Sequence, residues 1–490
     1  MSNLKKIGLR HAQYYLSILY HLDVQYLQGG EESVIAVRVF EDAWGQIQRG
    51  QAWAATRVEQ SDETAKLCSD YPDVGANLLA LRQPLNEQIS WLEAGLRATR
   101  RLRWRLREGT LLGNLGLVFQ KLGGFQQALA LYEERLVIAQ ELGDARGEMM
   151  TLGNRGILLI ELGQTQEALS HFQRILEISR ELADEHAKVL SLGNMGLIYK
   201  QLGQLKKATE LFEEALAIAQ LMEDQQSIAN LTGNLGLVYD ESGNLQIAIE
   251  HYQAALSLAR ESGDFGSEET WLSNLGSAYY QIGDHELAVE NLENALSLNR
   301  ELGSKPREAN QLANLAVVYH ELEQYERAIK YFNSALEIAR QITSKEEEAN
   351  WLGGLGNVYL DLEQYEQAVQ HYQRAAAINR TTGNKAREAD WLSNIGAAYR
   401  GLGKYDLAIQ HHEQALNIAT NIDDSAREAN YAWNLGHVYD ALADYQTAAE
   451  LMQYLISFNR GAGDLSVEED IAYIEAIRKK GAEKDSDQEN

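Results

Sequence analysis

Between residues 111 and 460 the apolar positions follow helical spacing, and that spacing itself repeats. The octads LGNLGLVF, LGNRGILL, LGNMGLIY, TGNLGLVY, LSNLGSAY, LANLAVVY, LGGLGNVY, LSNIGAAY and AWNLGHVY begin at 112, 152, 192, 232, 272, 312, 352, 392 and 432. The interval is 40 residues each time, with no insertion or deletion over nine units. Self-similarity at such a period marks a repeat array, in which each unit buries its apolar face against its neighbours.

Each unit reads as two helices. In Asp264–Gly303, Asp264 follows Gly263 and suits the N-cap of a first helix running to about Ile282. Asp144, Asp184, Asp224, Ser304, Ser344, Asn384 and Asp424 are the equivalent caps. Gly283 supplies the left-handed residue that ends the first helix, and a second helix runs to about Leu302. Leu216, Leu256, Leu296 and Leu336, with Ile218, Leu258, Leu298 and Ile338, give the second helix its apolar stripe. Small residues form two columns: alanine from Ala128 through Ala288 to Ala448, and glycine at 116, 156, 196, 236, 276, 356, 396 and 436, with Ala316 as the exception. Such columns are required where helices approach too closely for a larger side chain.

On Leu275-Gly276, Tyr279, Ala288, Ala295, Leu296 and their counterparts, residues 111–460 resemble the tetratricopeptide repeat. The proline usual between such repeats is missing, and extra helical turns give 40 residues in place of 34. Units carrying Leu-Gly-Asn look most like the Leu-Gly-Asn-repeat adaptors that bind spindle and polarity proteins; kinesin light chains are a more distant likeness. The resemblance implies an all-α fold, a right-handed superhelical solenoid of αα-hairpins, with a concave groove lined by first helices.

The ends depart from the period. Residues 71–110 read as a degenerate unit, and residues 1–70 as an N-terminal helical cap. The stretches LRHAQYYLSILYHLDVQYLQGG and VFEDAWGQIQRGQAWAA resemble the segment joining the nucleotide-binding core to the repeats in bacterial STAND-type signalling ATPases. No phosphate loop accompanies them: GLGK at 401–404 lacks the G-x-x-x-x-G-K-[ST] spacing. Residues 461–480 read as a C-terminal capping helix and 481–490 as a disordered polar tail.

Charge narrows the partners. The net charge is −27, yet residues 1–110 hold 14 Lys/Arg against 13 Asp/Glu, leaving 30 against 58 for the rest. An acidic array repels nucleic acid and anionic lipid, so a protein or peptide with basic character is the expected partner. The single cysteine, Cys68, fits a reducing, cytoplasmic compartment, and no 18-residue apolar run predicts a membrane span.

The sharpest candidate chemistry is an asparagine column: Asn114, Asn154, Asn194, Asn234, Asn274, Asn314, Asn394 and Asn434, with Gly354 as the gap. Each precedes the core leucine position, on the groove side of the first helix, beside a residue that is small in every unit but the last. An amide donates and accepts at once, which suits an extended peptide's main chain; in the resembling adaptors, groove asparagines clamp the ligand backbone. The competing reading is that each amide bonds a neighbouring helix and fixes repeat packing. Arg307, Arg387 and Arg427 could reach acidic ligand groups, pair at the surface with Glu308, Glu388 or Glu428, or form a solvated face. Six arginines in RATRRLRWRLR at 97–107 could dock an acidic partner or the chain's own acids, or form a solvated face. Trp271, Trp351, Trp391 and Tyr431 read as packing on the preceding second helix. His171, His251, His371, His411 and His412 have no ligand-spaced partners, and no nucleophile motif occurs; no catalytic residue, metal or cofactor is expected.

Overall fold

The computed structural model describes residues 3–461 and 468–488. Residues 1–2, 462–467 and 489–490, parts of the expected cap, capping segment and tail, lie outside the described residues. The chain divides into two units, residues 1–242 and 243–490.

In the first unit, α1 (Asn3–Gln28), α2 (Gly30–Ala55), α3 (Asp62–Val74), α4 (Ala76–Arg82) and α5 (Leu85–Leu102) precede α6 (Arg105–Lys121), α7 (Phe125–Leu142), α8 (Ala145–Glu161), α9 (Thr165–Leu182), α10 (Glu185–Gln201), α11 (Leu205–Leu221) and α12 (Gln225–Glu241). The second holds α13 (Leu245–Ser262), α14 (Phe265–Gln281), α15 (His285–Leu302), α16 (Lys305–Glu321), α17 (Tyr325–Gln341), α18 (Lys345–Asp361), α19 (Tyr365–Thr382), α20 (Lys385–Gly401), α21 (Tyr405–Asn421), α22 (Ser425–Ala441), α23 (Tyr445–Gly461) and α24 (Glu468–Gln488). Each unit is a stack of helical hairpins, and the fold class is an all-α solenoid.

The expected caps hold locally. Asp144, Asp184, Asp224, Asp264, Asn384 and Asp424 accept from the backbone N–H three residues on. Ser304 and Ser344 stand in the same position and make no such bond. Every described hairpin turn needs a left-handed residue, whatever its identity: Gly283 has φ 83°, and Glu323 and Glu363 have φ 56°. The junction geometry, set by packing on both sides, overrides the usual preference for glycine.

All nine column alanines, from Ala128 to Ala448, are fully buried. The glycine column has a partner that the sequence does not announce. A Cβ on Gly156 would lie 2.7 Å from the Phe172 ring, and one on Gly356 would lie 2.5 Å from the Tyr372 ring. The filler sits sixteen residues on, in the unit's own second helix: Tyr132, Phe172, Phe212, Leu292, Tyr372, His412 and Met452 in turn.

At the N-terminus α1 and α2 pair, and α3 packs on α5 with the short α4 between them. The expected boundary at residue 70 therefore falls inside α3, and residues 105–110 belong to α6. Four of the six arginines of 97–107 are paired within the chain, while Arg97, Arg100 and Arg103 are exposed. Arg100 bonds Glu108 and Glu134, Arg101 bonds Asp62, Arg105 bonds Glu108 and Glu141, and Arg107 bonds Asp70 and Asp73. They fasten α5 and α6 to the helices on either side.

At the other end α24 buries Ile474 and Ile477 against Ala448, Met452 and Ile456. It continues through residues 481–488, where composition alone suggests a disordered tail. Gly481 lies against Tyr445, and Lys484 donates to the Ala443 carbonyl at 2.8 Å. No described helix is long and apolar enough to cross a membrane.

Candidate functional site

Successive first helices touch: α6 with α8, α8 with α10 and α10 with α12 in the first unit, and α14 with α16, α16 with α18 and α20 with α22 in the second. Within each unit these first helices carry the asparagines. Asn114, Asn154, Asn194 and Asn234 lie on α6, α8, α10 and α12; Asn274, Asn314, Asn394 and Asn434 lie on α14, α16, α20 and α22. All eight are half-buried.

Two of the eight bond within the chain. Asn194 Nδ2 donates to the Leu190 carbonyl of its own helix at 2.8 Å, and Asn434 Nδ2 donates to Ser393 Oγ on the neighbouring first helix at 3.2 Å. Among the described residues the other six amides make no hydrogen bond, and none is a buried orphan. Packing by interhelical bonds thus accounts for Asn434 alone. Asn194 bonds its own helix, and the six other amides have donor and acceptor uncommitted among the described residues.

Two supporting arguments from sequence need correction. The small residue before the asparagine serves accessibility in only some units: a Cβ on Gly153 or Gly193 would make ordinary contacts, but not one on Gly353 or Gly113. Gly353 is buried beneath the Trp391 ring, which a Cβ would strike, and Gly113 lies beneath the Arg135 guanidinium. Smallness there seats a side chain from elsewhere in the stack. Gly354, the missing rung, likewise has a packing cause: a Cβ would lie 2.5 Å from Phe332 Cζ. In the preceding unit Ala316 stands where other units have the column glycine, and that unit's filler, Phe332, lies over Gly354.

Arg307, Arg387 and Arg427 are committed within the chain, with partners other than the adjacent glutamates. Arg307 Nη1 bonds the buried Glu269 at 2.8 Å, which also accepts from Gln311. Arg427 bonds Asp390 at 3.0 Å and Asp424 at 2.5 Å, and Arg387 lies 3.7 Å from Asp390. Glu308, Glu348 and Glu388 instead join a recurring clamp. Glu388 accepts from Arg380 at 2.6 Å and from Lys385 at 2.8 Å, tying one hairpin's end to the next hairpin's start. The bonds from Lys305 and Arg300 hold Glu308 below the usual glutamate value. Burial pushes Glu348 and Glu388 up, but their Arg and Lys partners prevail and lower both.

The tryptophans pack as read: Trp391 stacks on Tyr372 and donates to Asn379 Oδ1 at 2.8 Å, and Trp271 stacks on Tyr252. Arg155 sits at a seam, bonded to Glu133 and Glu167. His412 takes the ring slot over Gly396, with Nδ1 3.1 Å from Ser393 Oγ. Burial, then Arg400, His411 and His437, bring its pKa down to about 4. Burial pushes the Cys68 thiol up to about 12, which leaves it inert. Among the described residues no group of three or more His, Cys, Asp or Glu could hold a metal ion.

The sequence reading missed a second amide column one turn before the first. Asn230, Asn310 and Asn430 are exposed and Asn350 is half-buried, on the same helix face as the residues four positions on. The phrases REAN and EEAN carry the signal. It also missed an apolar cleft of about 560 Å³ between α8 and α10, walled by Met149, Met150, Ile157, Leu190 and the amide-bearing Asn154 and Asn194.

Comparison with known proteins identifies the repeat. A tetratricopeptide repeat family model matches residues 107–181, 147–221, 185–261, 227–301, 267–341, 307–381 and 387–453. Comparison with curated protein sequences returned no match. Among solved structures, a signal transduction ATPase with numerous domains (STAND) protein with a tetratricopeptide repeat sensor, from Pyrococcus horikoshii, is similar over 94% of this chain and 74% of its own, at 16% identity and TM-score 0.56. The apo quorum sensor NprR from B. thuringiensis is similar over 68% of this chain and 97% of its own, at 16% identity and TM-score 0.51. At such identities the likeness is one of fold.

Proposed function

The chain belongs to the tetratricopeptide repeat family, and we propose that it is a non-enzymatic scaffold that binds a partner peptide or protein along its first-helix face, taken as a concave groove. One observation carries this reading: six amides of the asparagine column stand half-buried and unbonded at corresponding positions. A half-buried amide with no partner in the chain adds no hydrogen bond to the packing and is left to water. It becomes favourable when a peptide main chain supplies its missing donor and acceptor. The net charge of −27 favours partners of basic character during approach, in a cytoplasmic setting. Arg307, Arg387 and Arg427 are positioning residues in this reading, since their charges are already matched.

Affinity capture with crosslinking mass spectrometry tests it. Crosslinks from a captured partner should fall on α6, α8, α10, α12, α14, α16, α20 and α22. Crosslinks confined to the second helices would refute the proposal.

A second reading is a sensor arm that acts with a separate NTPase or effector. It is favoured by apolar side chains left open on the N-terminal hairpin, with Leu4 80% and Leu27 65% exposed on α1 and Val34 62% on α2.

A further inference from the structure

One side chain in the first unit breaks the repeat's own rule. The second-helix position held by Ile175, Ala215, Ala255, Ala295, Ala335, Ala375 and Ala415 is Arg135 in α7. Arg135 is only 8% exposed, and among the described residues it has no ion pair. Its one side-chain polar contact is from Nη2 to Met150 Sδ at 4.0 Å. A guanidinium does not lose its charge, so burying one without a carboxylate is costly. Burial lowers its pKa against the opposing influence of Asp144 and Tyr132, and the Asp144 carboxylate is already occupied by the Gly147 N–H.

The direction in which Arg135 points is informative. Its guanidinium lies over Gly113 on α6 and beside Met150 on α8, directly under the face that carries Asn114 and Asn154. Met150 is 61% exposed and unbranched, so it can move aside. One turn before Met150 on the same helix face stands Arg146, exposed and without an ion pair among the described residues. Arg146 and Met150 also form the rim of the apolar cleft between α8 and α10. The cleft is lined by Arg146 and His186 against one carboxylate, Asp184, whose Oδ1 accepts from the Ala187 N–H.

We infer that Arg135 and Arg146 form a carboxylate seat at the rim of this cleft, and that the partner is an extended peptide that places an acidic group on the two guanidiniums and a large apolar side chain in the cleft. This rests on the groove reading above and gives it a sequence preference. Asn154 then holds the peptide's main chain between the two anchors. Asn194, with one Nδ2 hydrogen committed to the Leu190 carbonyl, keeps Oδ1 to accept from a peptide N–H.

The probe is a random dodecapeptide phage library selected on the immobilised full chain. Peptides carrying Asp or Glu within a few residues of Leu, Met or Phe should be enriched. Synthetic copies with free and amidated C-termini separate a side-chain carboxylate from a terminal one. Arg135→Met should weaken the acidic peptides about tenfold or more, while the melting temperature stays level or rises, because the substitution removes an unpaired buried charge. A structural arginine would show the reverse: lower melting temperature and unchanged binding. Peptides that lose binding with Asn154→Ala but not with Arg135→Met or Arg146→Ala overturn the seat and leave the groove reading standing. Recovery of no groove-binding peptide at all overturns both.

Discussion

Placing the missing amide where the repeat calls for it tests how far packing dictates this face. In Gly354→Asn the new Cβ would lie 2.5, 2.6 and 3.2 Å from three carbons of the Phe332 ring. Comfortable carbon contacts are about 3.5–4.0 Å, so the ring must move by about 1 Å. Overpacking of this kind costs about 1–3 kcal/mol, offset by about 0.3 kcal/mol from replacing glycine inside a helix. A net loss of about 1–2.5 kcal/mol is expected. Ala316→Gly alone should cost about 1 kcal/mol through helix propensity. Together they should cost less than the sum by at least about 1 kcal/mol, since the ring can return to the slot it occupies in other units. Hydrogen exchange over residues 305–382 suits a repeat array, which opens locally rather than all at once. Strict additivity would refute the claim that Ala316 and Gly354 compensate one another through Phe332.

The His412 ring is neutral when folded, and its pKa falls from 6.5 to about 4. The unfolded chain therefore takes the proton first as pH drops, and about 3 kcal/mol of stability should be lost between pH 6.5 and 4; His412→Phe, matching Phe172 and Phe212, should flatten that part of a melting-versus-pH curve. Glu308, Glu348 and Glu388 have lowered pKa values, so their clamps stabilise above the ordinary value of 4.5 and are lost as pH falls below it. Glu388→Gln should lower the melting temperature at pH 7 and reduce its further fall on acidification. Glu323→Gly and Glu363→Gly should each stabilise by about 1 kcal/mol, because both positions hold φ 56°; unchanged or lower melting temperatures would count against strain at these turns.

The period, the hairpins, the aspartate caps and the packing of Trp391 were legible because each depends on residue identity recurring at 40-residue spacing. The column over the glycines was not, because only its bulk recurs: Phe172, Leu292, His412 and Met452 share a slot and no chemistry. Glu323 and Glu363 hid two left-handed turns for a related reason, since junction geometry dictates the backbone there. At the N-terminus, α4 interrupts the hairpin of α3 and α5 and shifts the register, so the boundary at residue 70 missed α3. The asparagine positions were readable, but their freedom from hydrogen bonds was not, because bonding depends on neighbours 40 residues away. The commitment of Arg427 to Asp390 and the isolation of Arg135 were hidden in the same way.

The most direct test of the groove is the triple substitution Asn274→Ala, Asn314→Ala, Asn394→Ala, with affinity for a captured partner and melting temperature measured on the same preparation. None of these amides makes a hydrogen bond among the described residues, and alanine is the better helix former. The melting temperature should therefore hold or rise while affinity falls about a hundredfold or more, as expected when three backbone-clamping hydrogen bonds are removed. Unchanged affinity with a lowered melting temperature would show that the column maintains the fold and does not read a partner.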